Sequence, residues 1–546
     1  MFQHIEFAKR NRAAAIVVLL LAVIAFSRSP LEAQTTTVSG IVKNASGTPV
    51  EGATVRVRST DLGLTFLAVS QAQGRYATPN LLPGKYVVEA FGGGYQSNPS
   101  EPVEVASGRP GKADAALTVA QKVTPPEKRM TNADYEKLMP EADAKRLITS
   151  RCVLCHGLER IVPTRETRDE WQKIVTTMRS YLLDRRVPMS DAERDQIVNY
   201  VSTNFGPDVP RLPRAGGPAD PNKHLPRALL KGAEAKYVAM EFNLKRGAGP
   251  HDITVDSQGI AWVSERGSAS FGRFDPKSLG YSLIATPLAK NPDVALNAIA
   301  TDPRDMVWAM DNGPSAQLVQ YNTRSREFNL FQIPTPPNSG GSAINTLRFD
   351  PDGSVWGTGI VSSRIVKLEP ATRKVTEFPV PKGSHPYGLA IGGDQMIWYV
   401  ANYGDEIIKL DPKTGKLAQF KVPTQLSDLR RMQADAEGNL WAGGHESGKL
   451  VKVDYRTGKV TEYQTPTQGS GPYSVDVDRK RNLIWSGERY ADKIGRFDPR
   501  SNTWAEFTLP SSETDVRRIE VDPSNPNRIW WSGNGSHKIG YVEVLE

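Results

Sequence analysis

Cysteine is nearly absent from this chain: of 546 residues only Cys152 and Cys155 carry a thiol. Since both sit in one short motif, no disulfide framework remains. Each domain must then be held by apolar burial, and the length asks for about three of them. Long apolar runs are scarce too. The one near the N-terminus, Ala13 to Phe26, is about 14 residues long, against about 20 for a membrane span. Lys9, Arg10 and Arg12 precede it and Leu31-Glu32-Ala33 follows, which reads as a signal peptide over 1–33. Export to the periplasm is expected, with no membrane span after cleavage; an uncleaved anchor is the alternative. Charge of one sign is not clustered either. The formal +8 comes from 68 basic residues scattered among 60 acidic ones, which gives nucleic-acid binding no support. No GxSxG elbow follows an apolar strand, which sets aside a Ser-His-Asp hydrolase.

What is present is Cys152-Val153-Leu154-Cys155-His156. At this spacing each thiol can form a thioether to a haem vinyl group, and the adjacent histidine can reach the iron as proximal ligand. A CxxC disulfide or a thioredoxin-like pair needs no histidine there, and no βαβ pattern surrounds it. One covalent haem c is therefore the expected cofactor. Helical periodicity runs over Asn132 to Ser150, Asp169 to Leu183 and Ser190 to Asn204, the last with Ser190 and Glu193 as a capping box. Met178, on the apolar face with Trp171 and Leu182, is the expected distal iron ligand. Met189, in the loop before the last helix, is the alternative.

Residues 36–118 alternate in short runs broken by glycine and proline, such as Gly52-Ala53-Thr54-Val55-Arg56-Val57, and predict a small β-sandwich. A linker at 119–131, the helical region at 132–206 and a proline-rich linker at 207–234 follow. From 235 to 546 the chain repeats. Tryptophan recurs at Trp262, Trp308, Trp356, Trp398, Trp441, Trp485 and Trp530, each followed by an apolar strand such as Ile365-Val366-Lys367-Leu368. Seven copies predict a seven-bladed β-propeller. The last copy lacks an outer strand, and Tyr237 to Phe242 is spare, so that segment is expected to complete the ring and remove its free edges.

Three resemblances attach to these residues. Gly47, Pro49, Gly52-Ala53, Gly74, Tyr76, Leu82-Pro83-Gly84, Tyr86 and Gly94-Tyr95 resemble the carboxypeptidase regulatory-like domain, a transthyretin-like sandwich. The CxxCH stretch with Arg165, Trp171, Val175, Met178, Ser190, Glu193, Ile197 and Tyr200 resembles small cytochrome modules of periplasmic dehydrogenases, which favours Met178. Gly249-Pro250-His251-Asp252-Ile253 and Trp262-Val263-Ser264-Glu265 resemble blades of the streptogramin (virginiamycin B) lyase family. That resemblance implies His251 as a catalytic base and Glu265 as an Mg²⁺-binding acid. Gly249 stands where a second carboxylate belongs, and Arg517 where a histidine does. The expected fold class is thus multidomain: β-sandwich, all-α cytochrome c and seven-bladed β-propeller.

Blade alignment places His251, Asn297, Asn345, Tyr387, Arg430, Tyr473 and Arg517 at one position, a ring around the channel suited to a small anionic or hydroxylated ligand. His385 and His445 fall near this face as loop histidines. The leading expectation is an exported haem protein whose propeller binds a small substrate or partner while electrons pass to a periplasmic carrier or dehydrogenase. The alternatives are a Mg-dependent lyase acting on an ester or lactone, and a non-enzymatic docking protein.

Overall fold

A computed structural model of the chain describes residues 36–122, 132–154, 158–184, 187–210, 220–291, 293–313, 315–335, 343–382, 384–402 and 404–546. The expected signal peptide, Cys155 and His156 lie outside the described residues.

The repeat builds seven four-stranded antiparallel sheets. Each inner strand packs on that of the next sheet and the first packs on the last, closing a propeller. The recurring tryptophan has a local reason. Its indole N–H donates to an aspartate at the end of the inner strand: Trp262 to Asp256 (2.9 Å), Trp308 to Asp302 (3.3 Å), Trp356 to Asp350 (2.7 Å), Trp398 to Asp394 (3.0 Å), Trp441 to Asp435 (2.8 Å) and Trp530 to Asp522 (3.1 Å). A large apolar body is buried while its one polar atom is satisfied. In the sixth blade Asp478 instead accepts from Arg481, and the Trp485 indole nitrogen has no partner among the described residues.

The seventh blade joins chain ends, pairing Tyr237–Asn243 with Lys538–Val544. The other edge of Tyr237–Asn243 pairs with Leu64–Val69 of the N-terminal sandwich, so one sheet runs through both bodies. Leu64-Thr65-Phe66-Leu67-Ala68-Val69 is buried at every position because both its faces are covered. Leu64 and Phe66 pack with Val55, Val57 and Val88 of the sandwich, while Leu67 and Val69 pack with Phe91, Tyr237 and Ala239. Residues 220–235 then run along the sandwich: Leu230 N donates to Gly52 O (2.8 Å), and Arg227 Nη1 donates to Gln121 O (3.0 Å) and Lys122 O (2.8 Å). Gly52 has φ +82° and lies so close that a Cβ would meet Leu230 O at 2.3 Å, which reserves the position for glycine.

The expected fold class is corrected at its middle part. The chain is nearly all β, with 38 strands against four α-helices among the described residues, and it holds no all-α cytochrome domain. Helices α1 (Asn132–Lys137), α2 (Asp143–Arg151), α3 (Arg168–Asp184) and α4 (Asp191–Asn204) form an insert between two β bodies. The helix expected over Asn132 to Ser150 breaks around Pro140, because proline inside a helix removes a hydrogen bond and clashes with the preceding turn. Cys152–Leu154 and Leu158–Arg160 are 3-10 turns.

The propeller channel is closed by charge. Arg431, 1% exposed, donates from Nη2 to both oxygens of Asp252 (2.7 and 2.9 Å) and from Nη1 to Asn345 O (2.6 Å) and Thr346 Oγ1 (3.1 Å). One guanidinium therefore ties the first, third and fifth blades. Arg431→Met is expected to destabilise the chain by about 3–5 kcal/mol, since Asp252 would be left buried and uncompensated. Denaturant unfolding checks this, and adding Asp252→Asn should recover part of the loss.

Candidate functional site

In all seven blades the inner strand shifts register just after its first residue. Such bulges re-aim side chains. The second residues of these strands are His251, Asn297, Asn345, Tyr387, Arg430, Tyr473 and Arg517, gathered on one face.

On the first-blade side His251 is buried, with Nδ1 2.8 Å from Asp252 Oδ1. Burial lowers its pKa to about 4 despite the attraction of Asp252, so the imidazole is neutral at pH 7. Glu265, on the neighbouring strand, accepts from Tyr281 Oη (2.5 Å) and Ser268 Oγ (2.8 Å). The two expected catalytic residues thus have separate partners. The side chains at Glu265 are hydroxyl donors and Gly249 offers no ligand, so these residues do not fit a Mg²⁺ site.

Across the ring, blades four to seven present a basic and aromatic rim. Arg430 donates to Asp428 Oδ2 from Nε (3.0 Å) and Nη2 (2.7 Å), and its guanidinium lies 5.1 Å from the Tyr387 ring centre and 5.3 Å from that of Tyr473. The two phenols share a short hydrogen bond. Arg517 and Arg489 both donate from Nε to the same oxygen, Asp515 Oδ1 (2.9 and 2.5 Å), and lie 5.4 and 6.0 Å from the Tyr473 ring centre. His445 Nδ1 is 3.0 Å from Asp428 Oδ2, and its ring centre lies 5.2 Å from that of Tyr473 and 4.7 Å from that of Tyr490.

The electrostatics follow from this crowding. Burial would raise the pKa of Asp428, but Arg430 and His445 outweigh it and hold the carboxyl far below its usual range. Asp515 is held down in the same way by Arg489 and Arg517. Burial likewise pushes Tyr473 up, yet Arg430, Arg517, Arg431 and Arg160 together bring it well below an ordinary tyrosine. Asp428, His445 and Glu446 lie close enough to share a cation. Arg430 already donates twice to Asp428, so a cation there would face a guanidinium, and the group is an ion-pair network.

Arg160 belongs to the insert, in the turn just beyond the CxxCH motif, and its charge is felt at Asp428 and Tyr473. The insert therefore leans over this rim. Glu166 and Glu170 face the propeller's Arg246, Arg266 and His537. Gly247, at φ +88°, comes so close that a Cβ would meet Glu170 Oε1 at 2.9 Å, and Arg246 Nη2 donates to Pro207 O (3.2 Å). Within the insert, Cys152 is buried in a cluster with Trp171, Val175, Leu182 and Met189, whereas Met178 on α3 is half-buried.

Sequence reasoning missed Arg489, Asp428 and Asp515, and read His385 and His445 only as loop histidines near this face. Both histidines are 1% exposed. A signal for the acids was present: Asp428-Leu429-Arg430 and Asp515-Val516-Arg517 repeat the same Asp-x-Arg two blades apart.

Residues 282–545 match the virginiamycin B lyase family, and residues 37–118 match the carboxypeptidase regulatory-like domain. Three solved structures share the propeller. The selenomethionine virginiamycin B lyase from Staphylococcus aureus is 22% identical with a TM-score of 0.51, and a streptogramin B lyase is 24% identical with 0.51. A catalytically inactive Staphylococcus aureus virginiamycin B lyase with quinupristin is 21% identical with 0.50. Each alignment covers 57% of this chain and 100% of the other. No curated protein matches. The chain thus carries a carboxypeptidase regulatory-like N-terminal domain and a virginiamycin B lyase-like β-propeller; at these identities the likeness to the solved lyases is one of fold.

The contact between insert and propeller should respond to pH. Burial, and then Glu170, push Glu166 from 4.5 up to about 8. The docked state thus retains a proton that an undocked Glu166 releases above its ordinary value. Docking is strongest at low pH and weakens as pH rises through that window to about 8. Hydrogen exchange in α3 is expected to quicken accordingly, and Glu166→Gln should flatten the trend; a slope unchanged by the substitution would refute the assignment.

Proposed function

We propose that the chain is an exported haem protein. The insert holds one haem covalently through Cys152 and Cys155, with His156 as proximal ligand, and the propeller rim beneath it receives a small substrate or partner. The observation that supports this reading is the position of Arg160, four residues beyond His156 in the sequence, whose charge is felt at Asp428 and Tyr473 on the rim. Electron transfer would need a redox group carried close to such a polar face.

The donor chemistry fits. Cys152 is buried in an apolar cluster that also contains Met189, and the motif supplies a second thiol and an imidazole. A haem bound there supplies one-electron redox chemistry. Trp171, Val175 and Leu182 exclude water from the Cys152 side. Met178, half-buried on α3, or Met189, buried in the cluster with Cys152, would offer the iron a thioether sulfur. On the rim, Arg430 and Arg517 hold negative charge in place while Asp428 fixes the ring of His445. Electrons would leave to a periplasmic carrier or dehydrogenase.

A second reading, a lyase opening an ester or lactone, draws support from His251: neutral, and pinned through Nδ1 by Asp252, it is in the state a general base needs. This reading entails turnover without any change in haem oxidation state.

Expression of the full chain with haem-maturation factors tests the first reading. A Soret band and pigment retained after denaturation are expected, both lost in Cys152→Ser with Cys155→Ser; a colourless product from permissive maturation would overturn it. Of Met178→Leu and Met189→Leu, the one that removes the ligand is expected to abolish the sulfur-to-iron charge-transfer band, and the other to keep it.

A further inference from the structure

The rim of blades five to seven contains three groups whose binding capacity the fold leaves unused. Arg489 and Arg517 share a single carboxylate oxygen, Asp515 Oδ1, and both reach it through Nε. Two cations thus have one anion between them, and the Nη ends of both guanidiniums have no hydrogen-bond partner among the described residues. These side chains are 13% and 15% exposed, so their free ends are accessible from outside. The third group is His445. It is 1% exposed, and its Nε2 is buried without a partner among the described residues. A buried acceptor left unpaired is costly, and a water, an ion or a ligand that reaches it would relieve that cost.

The protonation states follow from the contacts. Asp428 is ionised and accepts at 3.0 Å from His445, so the imidazole proton sits on Nδ1. Burial keeps the ring neutral, with its pKa down at about 3. Nε2 is therefore a lone-pair acceptor and cannot bind a bare anion. All three groups surround Tyr473 and Tyr490: Arg489 is 5.3 Å and His445 4.7 Å from the Tyr490 ring centre, while Arg517 is 5.4 Å and His445 5.2 Å from that of Tyr473. Tyr490 is 39% exposed and forms the outer wall.

We propose that this rim binds a small oxyanion that also carries a hydroxyl group, a hydroxycarboxylate or hydrogen phosphate. The Nη ends of Arg489 and Arg517 take the charged oxygens, and His445 Nε2 accepts a hydrogen bond from the ligand's O–H. Guanidiniums suit both anions because their paired N–H donors match two oxygens at once. The requirement for a donor on the ligand comes from His445 alone. The lowered pKa of Tyr473, against the effect of its burial, agrees with a surplus of positive charge at this place. The inference names the substrate class of the proposed redox site and rests on that reading only for its purpose; binding itself does not require haem.

The full chain, matured with haem, would be titrated with lactate, inorganic phosphate and acetate by calorimetry. Lactate or phosphate is expected to bind about tenfold or more tightly than acetate, which has the charge but no hydroxyl at neutral pH. Whichever of the two binds more tightly identifies the source. Arg517→Gln and Arg489→Gln are each expected to weaken binding about tenfold, and His445→Phe to abolish the advantage over acetate while acetate affinity stays. Equal affinity for lactate, phosphate and acetate would overturn the role of His445, and no binding of any of them at about millimolar concentration would overturn the site. Both comparisons use the unsubstituted protein, so a variant that fails to fold does not decide the matter. The Soret band is recorded on the same samples: anion binding without pigment would sink the haem reading alone, and pigment without anion binding would sink the present inference alone.

Discussion

One strand, Tyr237–Asn243, holds the architecture together. It is the outer strand of the seventh blade on one edge and the neighbour of Leu64–Val69 on the other. A propeller whose last sheet ended at Lys538–Val544 would expose an edge beside the chain terminus, and a sandwich ending at Leu64–Val69 would expose another. Sharing one strand covers both. It also fixes the order of events along the chain: the segment between sandwich and propeller must leave from Lys122 and return to Tyr237, and both points are tied to the sandwich through Arg227, Leu230 and Gly52. The helical insert is thereby confined to a short arc, over one face of the ring.

That face is where the propeller concentrates its charge. Lower in the channel the charges are compensated by design of the ring: Arg431 takes Asp252, Arg518 takes Glu520, and Glu520 also accepts from Thr254 Oγ1 (2.7 Å) and Val255 N (3.0 Å), bonds that lock the first blade to the last. Such buried pairs are weak sources of stability but strongly specify register, because a displaced partner strands a charge. At the rim compensation fails, with Arg489 and Arg517 sharing Asp515. The contrast between a neutralised channel and an under-neutralised rim separates structural from binding residues more clearly than residue type does, since both layers are rich in arginine.

Much of this was legible in the sequence and some was not. The sevenfold tryptophan repeat, the spare strand at Tyr237 and the alternating pattern near Val55 report local periodicity, and periodicity is what a chain records most directly. The position of the ring residues was legible for the same reason, because equivalent positions in a repeat become neighbours around an axis. The helical segment was over-read. Apolar spacing continued across Pro140 and implied one long helix, whereas the backbone constraint at that residue divides it. His445 was under-read. Its burial depends on Tyr473 and Tyr490 from the next blade and on Asp428 at the far end of its own, contacts that no local window contains.

The docking of the insert is itself an electrostatic compromise. Arg160 brings positive charge to a rim that already has a surplus, and it acts there on Asp428 and Tyr473. Glu170 offsets this at a second contact, where Glu166 meets Arg246 and Arg266 and Glu170 itself meets His537. An interface built from a few charged contacts resembles a transient one, for which relative motion of the two bodies is the ordinary behaviour. An oxyanion held by Arg489 and Arg517 would supply the negative charge the rim lacks and so reduce the repulsion that Arg160 meets. By linkage, whatever strengthens docking of the insert must strengthen anion binding to the same degree. The insert would then be drawn against the propeller when the ligand is present, which would couple occupancy of the rim to docking of the insert.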